Sequence, residues 1–525
     1  MKILITDPIE QSCVDILTRE GFQVDLKPGL PAEEIKQIIH EYAALVVRSG
    51  TKVTADIIEK ATSMKVIGRA GAGVDNIDSA AASRKGIIVM NTPGGNTLST
   101  AEHTFSMLMA VARNIPNAHA SLVAGRWDRK KFMGTELFGK TLGIIGMGKI
   151  GREVATRAQA FGMTTIGFDP VLSPEVASKM NVELLSLDEI YRRSDFITVH
   201  TPLSDETRGL LNDESIAKCK KGVRLINCAR GGIIDEAALL KALDSGHVAG
   251  AALDVFVEEP PKDYTLAKHP KVVATPHLGA STEEAQEKVA IQIAEQIADA
   301  LKDRGIVGAV NAAALQAGVP NEIKPFLLLA EKLGSLQGQV MDGQLKELSV
   351  EMSGELLHKH SELIKAGVLR GLFSKVMSQP VNYINAPVLA QSMGVRISEK
   401  KIVDGGDYSN LLTIGYVTEK EHRTFAGTVF GGKHLKFVRL DKYNIEGTPE
   451  GTFLYYTNID RPGMLAKVGA LLAEANINIA GLSLGRSGIG ERALTVVNVD
   501  SPISDSVLRS VAALDGVFNA KVVTL

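Results

Sequence analysis

The sequence is poor in cysteine. Only three of its 525 residues are cysteines, namely Cys13, Cys219 and Cys228. Three cysteines cannot form a disulfide framework in a chain of this size, and their spacing matches no zinc-binding pattern. We therefore expect a reducing compartment, which predicts a cytoplasmic protein, and we expect no bound metal.

Long apolar runs are also missing. Nowhere do about 18 apolar residues follow one another without a charge, whereas a membrane-spanning helix needs about 20. The N-terminal segment MKILITDPIE reaches Asp7 before the apolar core of a signal peptide could form. These features predict neither a membrane span nor a secretory signal.

An excess of one charge sign is absent as well. Lysine and arginine total 58 against 60 acidic residues, so nothing electrostatic favours nucleic acid or an anionic membrane as partner.

Glycine, by contrast, is abundant at 50 residues, without a repeat and with only 19 prolines. This composition is typical of many tight turns between strands and helices. At about 150 residues per domain, the length predicts three to four domains.

Short β-branched runs alternate with amphipathic segments over the first 300 residues, which favours two parallel sheets covered by helices. The first set of predicted strands is KILITD, ALVVRS, MKVIGRAG and GIIVMNTP, followed by a helix from Ser99 to about Arg113. The second set is TLGIIG, TTIGFD, FITVH, VRLINC, GAALD and KVVAT. The helical segment STEEAQEKVAIQIAEQIADALK is expected to return to the first unit, so the cleft between the units is the expected binding place.

The character of the chain changes beyond about Asn311. Helical segments such as SELIKAGVLRGLFSKVM precede the strands LLTIGYV, RTFAGTVF and KHLKFVRL, which predicts a separate α/β domain. The last stretch has the order βαββαβ, from FLYYTNI to AKVVTL. That order is the ferredoxin-like unit.

A glycine-rich turn follows the strand TLGIIG and opens a helix. Gly146, Gly148 and Gly151 form a G-x-G-x-x-G, in which the glycines permit the tight turn, the approach of a pyrophosphate and close helix packing. The next strand ends at Asp169, whose carboxylate suits the ribose hydroxyls of NAD and repels the extra phosphate of NADP. The earlier Gly71-Ala72-Gly73 lacks the third glycine and the acid, so we interpret it as a turn. NAD is the predicted cofactor.

Three reactive side chains follow the later strands of the second unit. Arg230 follows VRLINC, Glu259 follows GAALD, and His277 follows KVVATP. Because ligands bind outside the carboxyl ends of parallel strands, these residues are expected to converge. Histidine suits proton removal from an alcohol at neutral pH, a carboxylate orients the imidazole, and arginine grips a substrate carboxylate. Together they predict hydride-transfer chemistry.

Each of these residues alone also fits a structural role. His277 is compatible with a hydrogen-bonded loop histidine, Arg230 with a helix-capping charge, and Glu259 with an exposed turn acid. Cys228 has no evident base, which favours packing. His103 and His200 are predicted to lack a carboxylate partner. The convergence of three residues favours the catalytic interpretation.

Further segments carry a resemblance to a known family. CARGGIIDEAALLKAL, AALDVFVEEPP and ATPHLGAST resemble the signature segments of the D-isomer-specific 2-hydroxyacid dehydrogenases, in their long form. The resemblance implies a Rossmann-type domain (99–281) inserted in a flavodoxin-like substrate domain (1–98 and 282–310). An α/β intervening domain (311–448) and a ferredoxin-like ACT domain (449–525) follow.

For the long form, the resemblance implies NAD-dependent oxidation of 3-phospho-D-glycerate to 3-phosphohydroxypyruvate, the first step of L-serine biosynthesis. It also implies the roles of Arg230, Glu259 and His277 given above. The residues implied to contact NAD, beyond the three glycines, are Lys149, Ile150, Asp169, Thr201, Pro202, Cys228, Ala229, Arg230, Asp254, His277, Leu278, Gly279 and Ala280. Lys149 stands where relatives often have arginine.

Substrate selection requires cations for the phosphate. Arg48 and Arg69 each end a strand of the first unit, and the resemblance supports both of them, while Asn96 is a candidate hydrogen-bonding partner of the substrate. The run 129–131 beside Trp127, the one tryptophan, fits either a contact with a partner subunit's site or a solvated charged surface.

The terminal unit resembles an ACT domain, a module that senses small molecules in amino-acid metabolism. The segment 460–463 and Asn478 match its ligand loop, but Asn458 and Asp460 stand where serine-inhibited relatives have histidine and asparagine. Serine feedback is therefore a hypothesis, and a homotetramer is what the resemblance implies. Three other functions stay open: another D-2-hydroxyacid dehydrogenase, a non-enzymatic NAD-sensing corepressor, and a regulatory amino-acid-binding protein.

Overall fold

Four β-sheets follow one another along the chain in the computed structural model, which describes residues 1–312, 315, 319–377, 380–403 and 406–525. The first part of the chain contains β1 (Lys2–Ile5), α1 (Gln11–Arg19), β2 (Gln23–Leu26), α2 (Ala32–Ile38), β3 (Ala44–Val47), α3 (Ala55–Lys60), β4 (Val66–Arg69), α4 (Ser79–Lys85), β5 (Ile88–Asn91), α5 (Thr97–Arg113) and α6 (Ile115–Val123). Short 3-10 helices cover Ile39–Glu41 and Arg129–Phe132.

The first sheet has the parallel order β2-β1-β3-β4-β5, which is the flavodoxin-like arrangement that was predicted. Its central strands are buried on both faces because helices cover both sides; Ile3, Leu4 and Ile5 have no exposed surface. Helix α4 begins at a cap, where Asp78 accepts a hydrogen bond from the backbone N–H of Ala81 at 2.8 Å.

The second sheet follows a Rossmann-type order. Its elements are β6 (Thr141–Ile145), α7 (Lys149–Ala160), β7 (Thr164–Phe168), α8 (Pro174–Lys179), β8 (Glu183–Leu184), α9 (Leu187–Arg193), β9 (Phe196–Val199), α10 (Asp213–Lys218), β10 (Val223–Asn227), α11 (Glu236–Asp244), β11 (Val248–Leu253), β12 (Val272–Ala274) and α12 (Glu283–Leu301). All pairs in the order β12-β11-β10-β9-β6-β7-β8 are parallel. The strand order reverses between β6 and β9, and ligands of such sheets are expected to bind at that point.

Two long helices connect these sheets. Helix α5 leaves the first sheet and packs against α7 and β11 of the second, whereas α12 returns and packs against α1 and β4. The predicted return of this helix is therefore confirmed. Ile293 and Ile297 of α12 lie so close to Gly68 in β4 that a Cβ there would stand 2.6 Å from Ile297 Cδ1.

The third sheet is mixed. Its elements are α13 (Lys324–Val340), β13 (Glu347–Ser353), α14 (Glu355–Lys359), α15 (Ser361–Val376), α16 (Asn385–Ser392), β14 (Arg396–Ile402), β15 (Leu411–Val417), β16 (His422–Phe430), β17 (His434–Leu440) and β18 (Tyr443–Gly447). The pair β13–β14 is parallel and the others are antiparallel in the order β14-β13-β15-β16-β17-β18. Helix α13 packs on β15, β16 and β17 of this sheet, and α15 packs against α13, as expected for an α/β domain.

The fourth sheet completes the predicted βαββαβ unit. It contains β19 (Thr452–Ile459), α17 (Met464–Glu474), β20 (Ile479–Arg486), β21 (Arg492–Val499), α18 (Asp505–Ala512) and β22 (Val517–Thr524), in the antiparallel order β20-β21-β19-β22. Alternate residues of β19 serve two cores: Leu454 and Tyr456 pack under α17 and α18, while Phe453 and Tyr455 join the core of the preceding domain.

The described part of the chain contains no helix with the length and apolar composition that a membrane crossing requires. The fold class predicted from the sequence is confirmed for all four units.

Candidate active site

The glycine-rich turn lies between β6 and α7. Gly146 has φ 97°, a left-handed value that favours glycine, and a Cβ there would stand 2.6 Å from the carbonyl oxygen of His200. A Cβ on Gly151 would stand 2.1 Å from the carbonyl oxygen of Gly146, so α7 can approach the turn closely only without a side chain. At Gly148 no heavy atom lies within 4 Å of that position. The backbone is therefore open at Gly148 for a pyrophosphate.

The carboxylate of Asp169 fixes the same turn. Its Oδ2 accepts a hydrogen bond from the N–H of Met147 at 2.9 Å, and its Oδ1 accepts from Val171 at 2.9 Å and Leu172 at 3.0 Å. Burial alone would raise the pKa of Asp169, but the three backbone donors outweigh it and lower the pKa. The side chain is therefore an anion at neutral pH, as contact with ribose hydroxyls requires.

Two buried polar atoms that lack a partner in the described part of the chain lie in the segment that directly follows β9. The Oγ1 of Thr201 and the Nδ1 of His200 are buried and have no hydrogen-bond partner among the described residues. Orphaned polar atoms of this kind are rare in folded proteins, so they fit a site that a ligand completes. Together with the open backbone at Gly148 and the anionic Asp169, they fit a dinucleotide.

The predicted pair of His277 and Glu259 is close in space. The Nδ1 of His277 lies 2.7 Å from Glu259 Oε2, although 18 residues separate them in sequence. Burial would raise the pKa of Glu259, yet the hydrogen bond from His277 and its charge lower the pKa, so the carboxylate is ionised. Its other oxygen accepts from the N–H of Phe256 at 3.1 Å, which fixes the carboxylate plane. Glu258, the neighbouring acid, pairs instead with Lys262.

Arg230 crosses the cleft toward the first sheet. Its Nε donates to Asp75 Oδ2 at 2.9 Å, and its Nη1 donates to the carbonyl of Ala229 at 2.7 Å. A Cβ on Gly73 would stand only 1.9 Å from Arg230 Nη2. Gly73 therefore leaves room for this guanidinium, in addition to forming the turn that the sequence predicts.

The two arginines predicted to bind phosphate lie beside each other at the ends of β3 and β4. The Nε of Arg69 donates to the carbonyl of Arg48 at 3.4 Å, and its Nη1 donates to the carbonyl of Gly73. The pKa of Arg69 is lowered, first by burial and then by the like charge of Arg230. Burial also lowers the pKa of Arg48. An anion placed among these guanidinium groups would relieve this repulsion.

Half of the predicted site residues border one cleft of about 400 Å³. The predicted residues that line it are Asn96, Ile150, Thr201, Pro202, Cys228, Ala229, Arg230, His277, Gly279 and Ala280. Lys149 reaches over the loop before α5, where its Nζ stands 2.9 Å from the position of a Cβ on Gly94. Arg48 and Arg69 do not line this cleft, and Glu259 lies behind His277 in a neighbouring cavity of about 460 Å³.

The structure corrects one sequence prediction. His103 was expected to lack a carboxylate partner, but its Nε2 lies 3.1 Å from Asp254 Oδ1. No local pattern indicated this contact, because Asp254 follows His103 by 151 positions in the sequence. Cys228, next to this pair, has its pKa raised to about 12 by burial and by Asp254, which agrees with packing rather than nucleophilic chemistry.

Two predicted sites lie away from the cleft. Trp127 is 77% exposed, and the basic run beside it is also exposed, which leaves both interpretations of that run open. In the fourth unit Asn458 is buried, and its Oδ1 has no partner among the described residues. Arg461 pairs with Asp515 at 2.6 Å.

Family comparisons agree with this arrangement. Residues 105–279 match the NAD-binding domain of the D-isomer-specific 2-hydroxyacid dehydrogenases, residues 322–441 match the D-3-phosphoglycerate dehydrogenase intervening domain, and residues 453–516 match the ACT domain. D-3-phosphoglycerate dehydrogenases of Methanocaldococcus jannaschii and Archaeoglobus fulgidus are 43% and 42% identical over the full length of both chains. The human enzyme of that name is 51% identical over 76% of this chain and 75% of its own.

The chain belongs to the D-isomer-specific 2-hydroxyacid dehydrogenases. Two solved structures are also similar to the chain. A glyoxylate reductase from Paecilomyes thermophila aligns with a TM-score of 0.55 at 31% identity, over 59% of this chain and 98% of its own. An NAD-dependent formate dehydrogenase from Staphylococcus aureus, solved with NAD, aligns with a TM-score of 0.54 at 29% identity over 58% and 97%. The predicted NAD-dependent dehydrogenase is therefore confirmed.

Proposed function

We propose that this dehydrogenase oxidises 3-phospho-D-glycerate to 3-phosphohydroxypyruvate with NAD, the first step of L-serine biosynthesis. One observation carries the assignment of chemistry: the 2.7 Å contact of His277 with Glu259, beside the cleft that Arg230 also lines. The substrate is proposed because relatives aligned over the whole chain bear the name D-3-phosphoglycerate dehydrogenase.

The protonation of His277 follows from its partner. An ionised carboxylate only accepts hydrogen bonds, so Nδ1 of His277 carries the hydrogen that lies between it and Glu259 Oε2. Nε2 is then the basic nitrogen and takes the proton of the substrate hydroxyl. Glu259 holds the ring and stabilises the imidazolium that results. In the reverse reaction, the same nitrogen returns the proton to the carbonyl oxygen.

The substrate's two anionic ends are assigned to different arginines. We assign the carboxylate to Arg230, since a guanidinium binds a carboxylate through two parallel hydrogen bonds and thereby fixes the reacting carbon. The phosphate is assigned to Arg48 and Arg69, and a hydroxyl to Asn96. The turn 146–151 would hold NAD, which would supply the hydride acceptor for the carbon whose hydroxyl group gives its proton to His277.

The test is NADH production by the purified protein with 3-phospho-D-glycerate, compared with unphosphorylated D-glycerate. We expect kcat/KM for the phosphorylated substrate to be higher by at least about 100-fold, because two arginines lose their partner in glycerate. Equal turnover of both compounds would favour a different D-2-hydroxyacid as the substrate. His277→Ala is expected to lower kcat about 1000-fold, and His40→Ala, an exposed histidine of the first domain, serves as control.

We also infer regulation and assembly. The ACT domain is proposed to bind an amino-acid effector, with serine as the first candidate; millimolar serine that changes neither activity nor thermal stability would contradict this. We further propose that the protein is a homotetramer and that its domains cover 1–98 with 282–310, 99–281, 311–448 and 449–525. Leu278 and the other predicted residues are proposed to contact NAD directly. A cytoplasmic location is proposed because all three cysteines are free thiols.

A further inference from the structure

Helix α5 supplies three polar side chains to the loop that carries His277. The Oγ of Ser99 donates to the carbonyl of Gly279 at 2.5 Å, and the Oγ1 of Thr100 donates to the same oxygen at 3.2 Å. One turn further on, His103 contacts the Asp254 carboxylate. The loop after β12 is thus held from one side by a helix that begins in the first domain.

Asp254 is the centre of this arrangement. Its side chain has no exposed surface, and both oxygens accept hydrogen bonds: Oδ1 from Thr275 Oγ1 at 2.6 Å and from the N–H of Leu278 at 2.7 Å, and Oδ2 from the N–H of Gly279 at 2.8 Å. A buried carboxylate is stable only when donors surround it. Burial would raise its pKa, but His103 and these donors lower it.

We propose that His103 is a positioning residue: its Nε2 holds the Asp254 carboxylate, and that carboxylate holds the backbone of the loop that presents His277. Because Asp254 only accepts hydrogen bonds, Nε2 of His103 carries a hydrogen. The same nitrogen lies 3.2 Å from Thr275 Oγ1, whose own hydrogen is directed at Asp254. His103 therefore closes a ring of three polar groups behind the loop.

The ring matters for catalysis because the backbone of His277 depends on it. The N–H of His277 donates to the carbonyl of Asp254 at 2.8 Å, and His277 has φ 55°, a left-handed value that non-glycine residues adopt only when their surroundings impose it. Movement of Asp254 would release the adjacent N–H groups of Leu278 and Gly279. The imidazole would then lose its fixed position relative to the substrate hydroxyl.

Cys228 lies beside this ring. Its sulfur, a His103 nitrogen and an Asp254 oxygen all lie within 4.8 Å of one another. The Asp254 oxygens are already occupied by hydrogen-bond donors, so hydrogen bonding accounts for the cluster.

The first test is hydrogen exchange of the protein without cofactor, which does not depend on the substrate. In His103→Leu, the amides of Leu278 and Gly279 should exchange about tenfold faster than in the wild type, because Asp254 loses a charge-assisted partner. In His103→Gln, whose amide nitrogen replaces Nε2 as donor, exchange should stay near the wild-type rate. Unchanged exchange in His103→Leu would overturn the proposal.

The second test is steady-state kinetics and rests on the proposed function. His103→Leu should lower kcat about tenfold while KM for 3-phospho-D-glycerate stays within about threefold, since the arginines lie on other loops. His103→Gln should restore most of kcat. A loss carried by KM, or no rescue by glutamine, would overturn the positioning role.

Two controls separate the possible failures. His119→Leu removes an exposed histidine of the neighbouring helix α6 and should change neither exchange nor kcat. In an Asp254→Asn background, His103→Leu should add little further loss, because both act through one carboxylate; additive losses would contradict the proposal. If the wild type fails to oxidise 3-phospho-D-glycerate, the proposed function fails, while the exchange experiment still decides the role of His103.

Discussion

Arg230 Nε donates to Asp75 Oδ2 at 2.9 Å, so a residue of the Rossmann-type domain is joined to one of the flavodoxin-like domain across the cleft. This ion pair uses the Nε–H of the guanidinium, and Nη1 donates a hydrogen bond to the carbonyl oxygen of Ala229. The remaining nitrogen lies against Gly73. Asp75 therefore orients the arginine that we assign to the substrate carboxylate.

Replacement of Asp75 by asparagine tests this orientation. The side chain of Asp75 is 65% exposed, so the ion pair contributes about 1 kcal/mol at most. We expect Asp75→Asn to raise KM for the substrate about fivefold with little change in kcat, measured by steady-state NADH production. Asp56→Asn, another exposed aspartate of the same domain in a weak ion pair, is the control. A lower KM would mean that Asp75 competes with the substrate instead.

The glycine-rich turn offers a matched pair of substitutions. Gly151→Ala would place a Cβ 2.1 Å from a backbone oxygen, so it should destabilise the protein by about 3 kcal/mol, seen as a lower Tm without NAD. Gly148→Ala meets no atom within 4 Å and should leave Tm unchanged. It should nevertheless weaken NAD binding about tenfold in calorimetry, because the Cβ obstructs the pyrophosphate. Normal affinity in Gly148→Ala would contradict the placement of the phosphates.

Local sequence determines much of this fold but not all of its strands. The central strands of the two parallel sheets were predicted because they are continuous apolar runs buried on both faces, whereas β13, ELSVEMS, was not predicted although it lies in the interior of the third sheet. The strands β2, QVDL, and β14, RISEKKI, were not predicted, since both lie at sheet edges and their residues stay largely exposed. β8 has two residues and carries no periodicity. Edge strands form through pairing with a neighbour, which a single segment does not reveal.

The candidate active site shows the same division between predicted and unpredicted features. Arg230, Glu259 and His277 were predicted because parallel strands bring the residues that follow them to one edge. The contacts of His103 and Gly73 were not predicted, since their partners lie in another domain or far along the chain. Those contacts depend on how α5 and the first sheet dock on the second sheet, and only the structure contains that information.

Acid should destabilise the protein partly through His200. Burial lowers the pKa of His200 to about 4; its Nδ1 is enclosed without a partner and its Nε2 lies 3.0 Å from Thr198 Oγ1. A histidine with a lowered folded pKa is neutral in the native state. The contribution of His200 to the free energy of unfolding is complete above its pKa in the unfolded chain, which is about 6.5. This contribution is lost as the pH falls toward 4, and the loss is at most about 3 kcal/mol.

His200→Gln checks this contribution. Its free energy of unfolding in urea should fall less between pH 6.5 and 4.5 than that of the wild type, since glutamine does not titrate. Both proteins are compared at each pH, so that other titrating groups cancel. Parallel pH curves for the two proteins would show that His200 is not a source of acid sensitivity.

Arg423 should couple the intervening domain to the ACT domain. It is 9% exposed on β16, and its Nε donates to Asp441 at 2.8 Å while Nη2 donates to the hydroxyl of Tyr455 on β19. Its guanidinium also lies 5.3 Å from the Tyr455 ring. Arg423→Met would leave Asp441 and the tyrosine hydroxyl without this partner, at a cost of about 3 kcal/mol.

Thermal unfolding followed by hydrogen exchange of β19 measures this effect. Faster exchange of β19 and a lower Tm are expected in Arg423→Met, and a smaller loss in Arg423→Lys, which keeps the charge but not the planar fork. Arg439→Met, on the exposed face of the adjacent strand β17, is the control and should change neither quantity. If β19 exchanges at the wild-type rate in Arg423→Met, the buried cation is not what holds the two sheets together, and the shared apolar core of Phe453 and Tyr455 suffices.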